Sequence, residues 1–200
     1  MGEEPRLSGA FEKALGELRL RDTSALASGS GGALEGGRIL LRILNRTAAV
    51  SVQDWSVAWQ DGGEPDPEMK VVVLHYLLGS PGSLEHKLIS YREIEGGSLY
   101  YSVFQQRAIA PLAKMFEKDS GALEKAASSL GGIKVQRGDM SFDFLFFPFL
   151  LVNISFWKGD EEVPTTGNIL FDASAAKALR AEDLAHLCGE FVGYLRRGKI

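Results

Sequence analysis

The chain has three histidines, His75, His86 and His186, and a single cysteine, Cys188, so any metal or thiol chemistry must use these positions. Neither an H-E-x-x-H motif nor a pair of histidines four residues apart is present. His186 and Cys188 are two residues apart in a helical pattern, which turns them about 200° from each other. Cys188 falls in the apolar stripe and His186 on the polar face, so the two cannot share an ion. Cys188 reads as a small buried hydrophobe, and His86, between Glu85 and Lys87, as a solvated loop residue. His75 differs from both because it lies inside a strongly apolar segment. A buried imidazole needs a partner, and here it could serve as a pocket wall or a proton donor.

Carboxylates gather at Asp160-Glu161-Glu162, with Asp172 ten residues on. Adjacent acids in a turn can bind a hard cation or act as a general base. The simpler reading makes Gly159-Asp160 a hairpin turn and Asp172 the N-cap of a helix beginning near Ala173. The segment Gly32-Ala-Leu-Glu-Gly-Gly37-Arg38-Ile39 has the outer glycines of a phosphate-binding loop. It lacks the lysine and the hydroxyl, and it precedes a strand where such a loop would precede a helix. No G-x-S-x-G elbow marks a serine nucleophile.

The elements that must position these residues follow from periodicity. Phe11, Ala14, Leu15 and Leu18 predict an amphipathic helix over 10–20, decaying into a flexible loop at 28–32. Strands are expected at 38–44, 48–52 and 55–59, with a hairpin turn at 45–47. Asp66, Pro67 and Gly79 bracket a helix over 67–78, with N-cap, first-turn proline and stop in the preferred order. Its apolar residues run around both sides, which predicts a central helix buried on both sides. A strand over 88–94, helices over about 99–118 and 121–130, strands over 142–147 and 150–157, and a short strand over 168–171 follow. Leu184, Leu187, Cys188, Phe191, Val192 and Leu195 form the stripe of a C-terminal helix that packs on the core. No repeat and no linker divides the chain. The fold class is therefore α+β: one domain over 1–200, a mostly antiparallel sheet, a central buried helix and a C-terminal helix on it, with a loose tail at 1–9.

Composition sets the outer limits. The chain has 200 residues, with 22 Lys and Arg against 26 Asp and Glu and a formal charge of −4, which disfavours nucleic-acid and anionic-membrane partners. One cysteine excludes a disulfide framework and a multi-cysteine cluster. No signal-type apolar region or membrane-length run is seen, so a cytoplasmic location is expected, and the sequons at Asn45 and Asn153 then carry no meaning. Of 23 glycines, ten fall in pairs at 31–32, 36–37, 62–63, 96–97 and 131–132, each at an expected element boundary. The aromatic run from Phe142 to Trp157 alternates at Phe142, Phe144 and Phe146, as core packing requires, with an apolar pocket or a subunit interface as the alternative.

Several blocks together resemble a known family: His75-Tyr-Leu-Leu-Gly79, Ser90-Tyr-Arg-Glu-Ile-Glu-Gly-Gly97 with Tyr100 and Phe104, Pro111-Leu-Ala113, Leu130-Gly-Gly132, Gly138-Asp139, and Trp157-Lys-Gly-Asp-Glu-Glu-Val-Pro164 through Ile169-Leu-Phe-Asp172. Over roughly residues 70–190 the chain resembles a prokaryotic domain of unknown function found in anaerobic bacteria and archaea, in some members following a four-cysteine iron–sulfur domain. This chain has no cysteine-rich front domain, so no cluster binding transfers, and Val163 stands where an aromatic residue is expected. The resemblance implies a cytosolic context in anaerobes and no established chemistry.

These readings lead to an accessory module in anaerobic metabolism that binds a small molecule or a partner protein through His75, Tyr91, Trp157, Asp160 and Glu162, because polar and aromatic residues at strand ends and turns tend to carry function. No catalytic residue, metal ligand or cofactor is assigned. An enzyme using Asp160, Glu162 or Asp172 with His75 as acid/base or metal ligands is the alternative. A third reading is a structural subunit, possible as a homodimer, that associates through the Phe-rich strands.

Overall fold

In the computed structural model, the backbone is described over residues 4–200 and the side chains over residues 9–200. The expected loose tail is outside the described residues at 1–3; from Glu4 the chain is helical. Helix α1 (Glu4–Leu18) leads into α2 (Thr23–Ser30), which runs into the loop expected at 28–32. The Ser/Gly content of α2 disfavours a helix, but both ends are capped. Asp22 accepts from the Ala25 N–H at 2.7 Å, Gly31 closes the helix at φ 73°, and Leu26 and Ala27 bury its inner face.

Strands β1 (Ala33–Glu35), β2 (Arg38–Ile43), β3 (Arg46–Ser51) and β4 (Val57–Trp59) form a four-stranded antiparallel meander. The glycine-rich segment over 32–39 forms its first turn. Glu35 pairs with Arg38 across Gly36 and Gly37, at φ 53° and 75°, the two left-handed positions of a two-residue hairpin.

Helix α3 (Pro67–Gly79) is capped at the Asp66 carboxylate, which accepts from the Met69 N–H at 2.8 Å. It packs against α1 and α2 and against two later helices. Met69, Val71, Val72, Val73, Leu74, Tyr76 and Leu77 are all buried, so this is the central helix that its all-round apolarity predicts.

The expected strand at 88–94 stops early. Only Leu88–Ser90 is extended (β5), and the Glu93 carboxylate accepts from the Ser90 N–H to close a 3-10 turn over Tyr91–Glu93. Helices α4 (Gly97–Phe104) and α5 (Ala110–Lys118) are joined by a wide π turn over Gln105–Ile109, which accommodates the missing N–H of Pro111. After α6 (Ser120–Ser129) come β6 (Ile133–Lys134), β7 (Met140–Phe147), β8 (Leu150–Trp157) and β9 (Thr166–Asp172). A second antiparallel sheet results, in the order β5-β9-β8-β7-β6. The short helix α7 (Ala175–Ala178) and the long α8 (Ala181–Arg197) complete the chain.

One face of the larger sheet meets α8 and α5: Phe191 sits edge-on to Phe144 and Phe146, and Phe116 stacks on Phe156. The Leu44 N–H donates to the Phe146 carbonyl at 2.9 Å, joining the two sheets. Phe142, Phe144, Phe146, Phe147 and Phe156 are each at most 1% exposed, so these aromatics build the core and leave no Phe-rich surface on those strands.

Candidate functional site

The C-terminal end of α3 and the first turn of α8 meet, and this contact carries the side-chain pair with the most chemical content. The His75 Nδ1 lies 2.9 Å from Asp183 Oδ1. A carboxylate can only accept, so Nδ1 carries the proton and donates it. The other oxygen, Oδ2, accepts from the Arg180 N–H at 3.3 Å and satisfies an open amide at the start of α8. Asp183 is thereby held from two directions, and the imidazole plane is fixed. Nε2 makes no hydrogen bond among the described residues and is the ring atom available to a ligand. The two side chains are 23% and 11% exposed, so the pair sits at the wall of an opening, short of the full burial expected for His75.

That opening is a cleft of about 770 Å³ between α1, α3, α7 and the start of α8, continuing into a second lobe of about 600 Å³ beside α4. Both lobes border on Ala10, His75, Tyr100, Arg180, Glu182 and Asp183. Lys13 and Glu17 enter from α1, and Arg107 and His186 close the second lobe. The volume lies in the range of small-molecule sites. Charges of both signs converge, so the cleft suits a polar ligand carrying both donors and acceptors.

The five residues singled out from sequence do not share one pocket. Tyr91 is 1% exposed, stacked on Phe104 at 4.1 Å, with its hydroxyl donating to the Ala181 carbonyl at 2.6 Å; burial pushes its phenol up. It supports the start of α8 from below the cleft. Asp160 borders a separate depression of about 400 Å³ with Lys118, Lys158 and Thr165, which shares no wall residue with the His75 cleft. Its carboxylate accepts from the Val163 and Glu162 N–H groups, both at 2.9 Å, and these bonds hold it below the usual carboxylate range. Glu162 is exposed on the same turn, and Trp157, 42% exposed, ends β8.

Asp172 is 2% exposed and accepts from the Glu85, Lys87 and Ser174 N–H groups at 2.8, 3.2 and 3.0 Å. Burial pushes its carboxyl up, but the Glu85 amide, the Ser174 hydroxyl and amide and the His86 amide outweigh this and hold it low. Instead of directly capping a helix at Ala173, it ties the 85–87 loop to the end of β9, while α7 begins three residues later, at Ala175. Cys188 is fully buried, and burial pushes its thiol up. Among the described residues no cluster of three or more His, Cys, Asp or Glu could hold a metal ion, and no helix is long and apolar enough to cross a membrane.

Asp183 and Arg180 are the site residues that sequence reasoning missed. The signal available was an acid in the first turn of a predicted helix, which ordinarily reads as a dipole partner and no more. A family model described as Domain of unknown function (DUF3786) matches residues 22–194. No curated protein and no solved structure matches the chain. The matched segment contains His75, Tyr100 and Asp183, whereas α1, which walls one side of the cleft, precedes it.

Proposed function

The chain belongs to this family of unknown function, and from its own geometry we propose that it is a binding module whose site is the cleft at the His75–Asp183 pair. Its ligand is a small polar molecule that hydrogen-bonds His75 Nε2. The 2.9 Å bond from Nδ1 to Asp183 is the observation that carries this reading. An imidazole oriented by a carboxylate presents one defined nitrogen to a cavity, and cavities with a few fixed polar groups are how proteins select small ligands. The resemblance to domains of anaerobic prokaryotes supports an accessory role in anaerobic metabolism, in the cytoplasm.

A thermal-shift screen of small polar metabolites against the full chain tests the proposal. A ligand at 100 times its Kd stabilises the folded state by about 2.7 kcal/mol, which a melting curve resolves. Compounds that raise the Tm of the wild type should fail to do so for His75→Gln. Ligands that shift both proteins equally would place binding elsewhere and overturn the proposal.

A further inference from the structure

A second concavity, on the other side of α8, has a different character. It is a groove of about 840 Å³ between α5, α6 and the C-terminal end of α8. Its floor is apolar, built from Met115, Leu123, Ala126, Val192 and Leu195. Its rim carries Lys114, Lys118, Lys125, Arg196 and Arg197, all exposed, against a single acid, Asp119. That one carboxylate already caps α6 by accepting from the Ala122 N–H at 2.9 Å. The five cations take part in none of the ion pairs found among the described residues. Arg197 does reach over the Tyr194 ring, at 5.3 Å.

Helix-end electrostatics explains part of this pattern. Lys118 lies in the last turn of α5, and Arg196 and Arg197 in the last turn of α8, where cations complement the helix dipole. Lys114 and Lys125 lie away from those ends, and the dipole does not account for the near-absence of acids in a chain with more acids than bases. The floor also lacks the fixed polar groups that orient a small molecule. The Ser129 hydroxyl is engaged with the carbonyls of Ala126 and Gly198, at 2.8 and 2.9 Å. Cations on long flexible stems around an apolar floor instead suit a macromolecular partner, steered by charge and anchored by apolar side chains.

We infer that this groove docks an acidic amphipathic helix of a partner protein, its apolar stripe on the Met115–Val192 floor and its Asp and Glu residues against the lysine and arginine rim. Such a helix packs as the fourth member of the α5–α6–α8 group, with anchors at i, i+3, i+4 and i+7.

Fluorescence anisotropy on the full chain tests this with two labelled helical peptides of about five turns. Both carry leucine at the anchor positions; one has glutamate and the other lysine on its flanks. The glutamate peptide should bind and the lysine peptide should not, with affinity falling as salt is raised. Lys114→Glu combined with Lys125→Glu should weaken binding about tenfold. Ala122→Glu should also weaken it while leaving the fold intact, since an acid in the first turn of α6 suits the helix dipole; circular dichroism verifies the fold of each variant. Equal binding of the two peptides, or binding of neither, overturns the inference. So does binding to phosphatidylglycerol vesicles that these variants abolish while the glutamate peptide does not bind, because the groove would then be a membrane-contacting surface.

Discussion

At the scale of single residues, what matters is where each polar group finds its partner. His75 and Asp183 complete each other, and Asp183 also serves the start of α8, so removing either has a stability cost as well as a binding one. Asp183→Ala should lower stability by about 1–2 kcal/mol through loss of the amide acceptor and the imidazole partner. The coupling between Asp183→Ala and His75→Ala, read from a double-mutant denaturation cycle, should lie between roughly 0.5 and 3 kcal/mol. Asp172 makes a pH prediction. Its folded carboxyl is held below the ordinary value, so its contribution to stability is complete above about pH 4 and is lost as pH falls through the folded value. Denaturant midpoints measured from pH 6 down to about pH 2.5 should fall more steeply below pH 4 for the wild type than for Asp172→Asn. At neutral pH that variant should be the less stable by about 1–3 kcal/mol, because three amide donors, that of Ser174 buried and those of Glu85 and Lys87 partly so, lose a charged acceptor.

At the scale of elements, caps and close approaches decided what composition left open. Helix α2 exists although its residues disfavour it, because Asp22 and Gly31 close both ends and Leu26 reaches the core. The predicted strand after residue 88 is cut short because Glu93 bonds back to the Ser90 N–H, a local alternative to strand pairing. Helix α3 reaches its last residue at a point where Gly79 lies against the backbone of α7, and an added Cβ would overlap the Ala178 carbonyl. Intrinsic propensity favours alanine over glycine in a helix by about 1 kcal/mol. Gly79→Ala should nevertheless destabilise, by about 1–3 kcal/mol, since two backbones must separate. Equilibrium unfolding in urea measures the sign, and a more stable variant would show that α3 and α7 tolerate separation.

At the scale of the whole molecule, single side chains tie together several of the described helices and the larger sheet. Tyr76, from the central helix, stacks on Phe147 at 4.1 Å, donates to the Ser30 carbonyl and accepts from the Phe149 N–H, so α2, α3 and the β7–β8 turn share one side chain. Phe191 joins α8 to β7 in the same way. Phe191→Ala should cost about 3–5 kcal/mol and lower the Tm by on the order of 10 °C. Differential scanning calorimetry should still show a single transition; two resolved transitions would mean that the sheets melt independently.

The limits of the sequence are visible in the same residues. Periodicity and capping chemistry are local, so the amphipathic stripe of α8, the Asp66–Pro67 start of α3, the Phe142–Phe144–Phe146 alternation and the glycine pairs at element ends were all legible in the sequence. Residue chemistry also identified His75 as the imidazole in need of a partner. The sequence could not say that the partner is Asp183, 108 residues away, nor that Tyr91 lies in the core while Asp160 borders a different depression. Those outcomes depend on how α3 crosses α8 and on which ends of the larger sheet lie beside them. Packing of preformed elements sets that geometry, and no local pattern within any one of them records it.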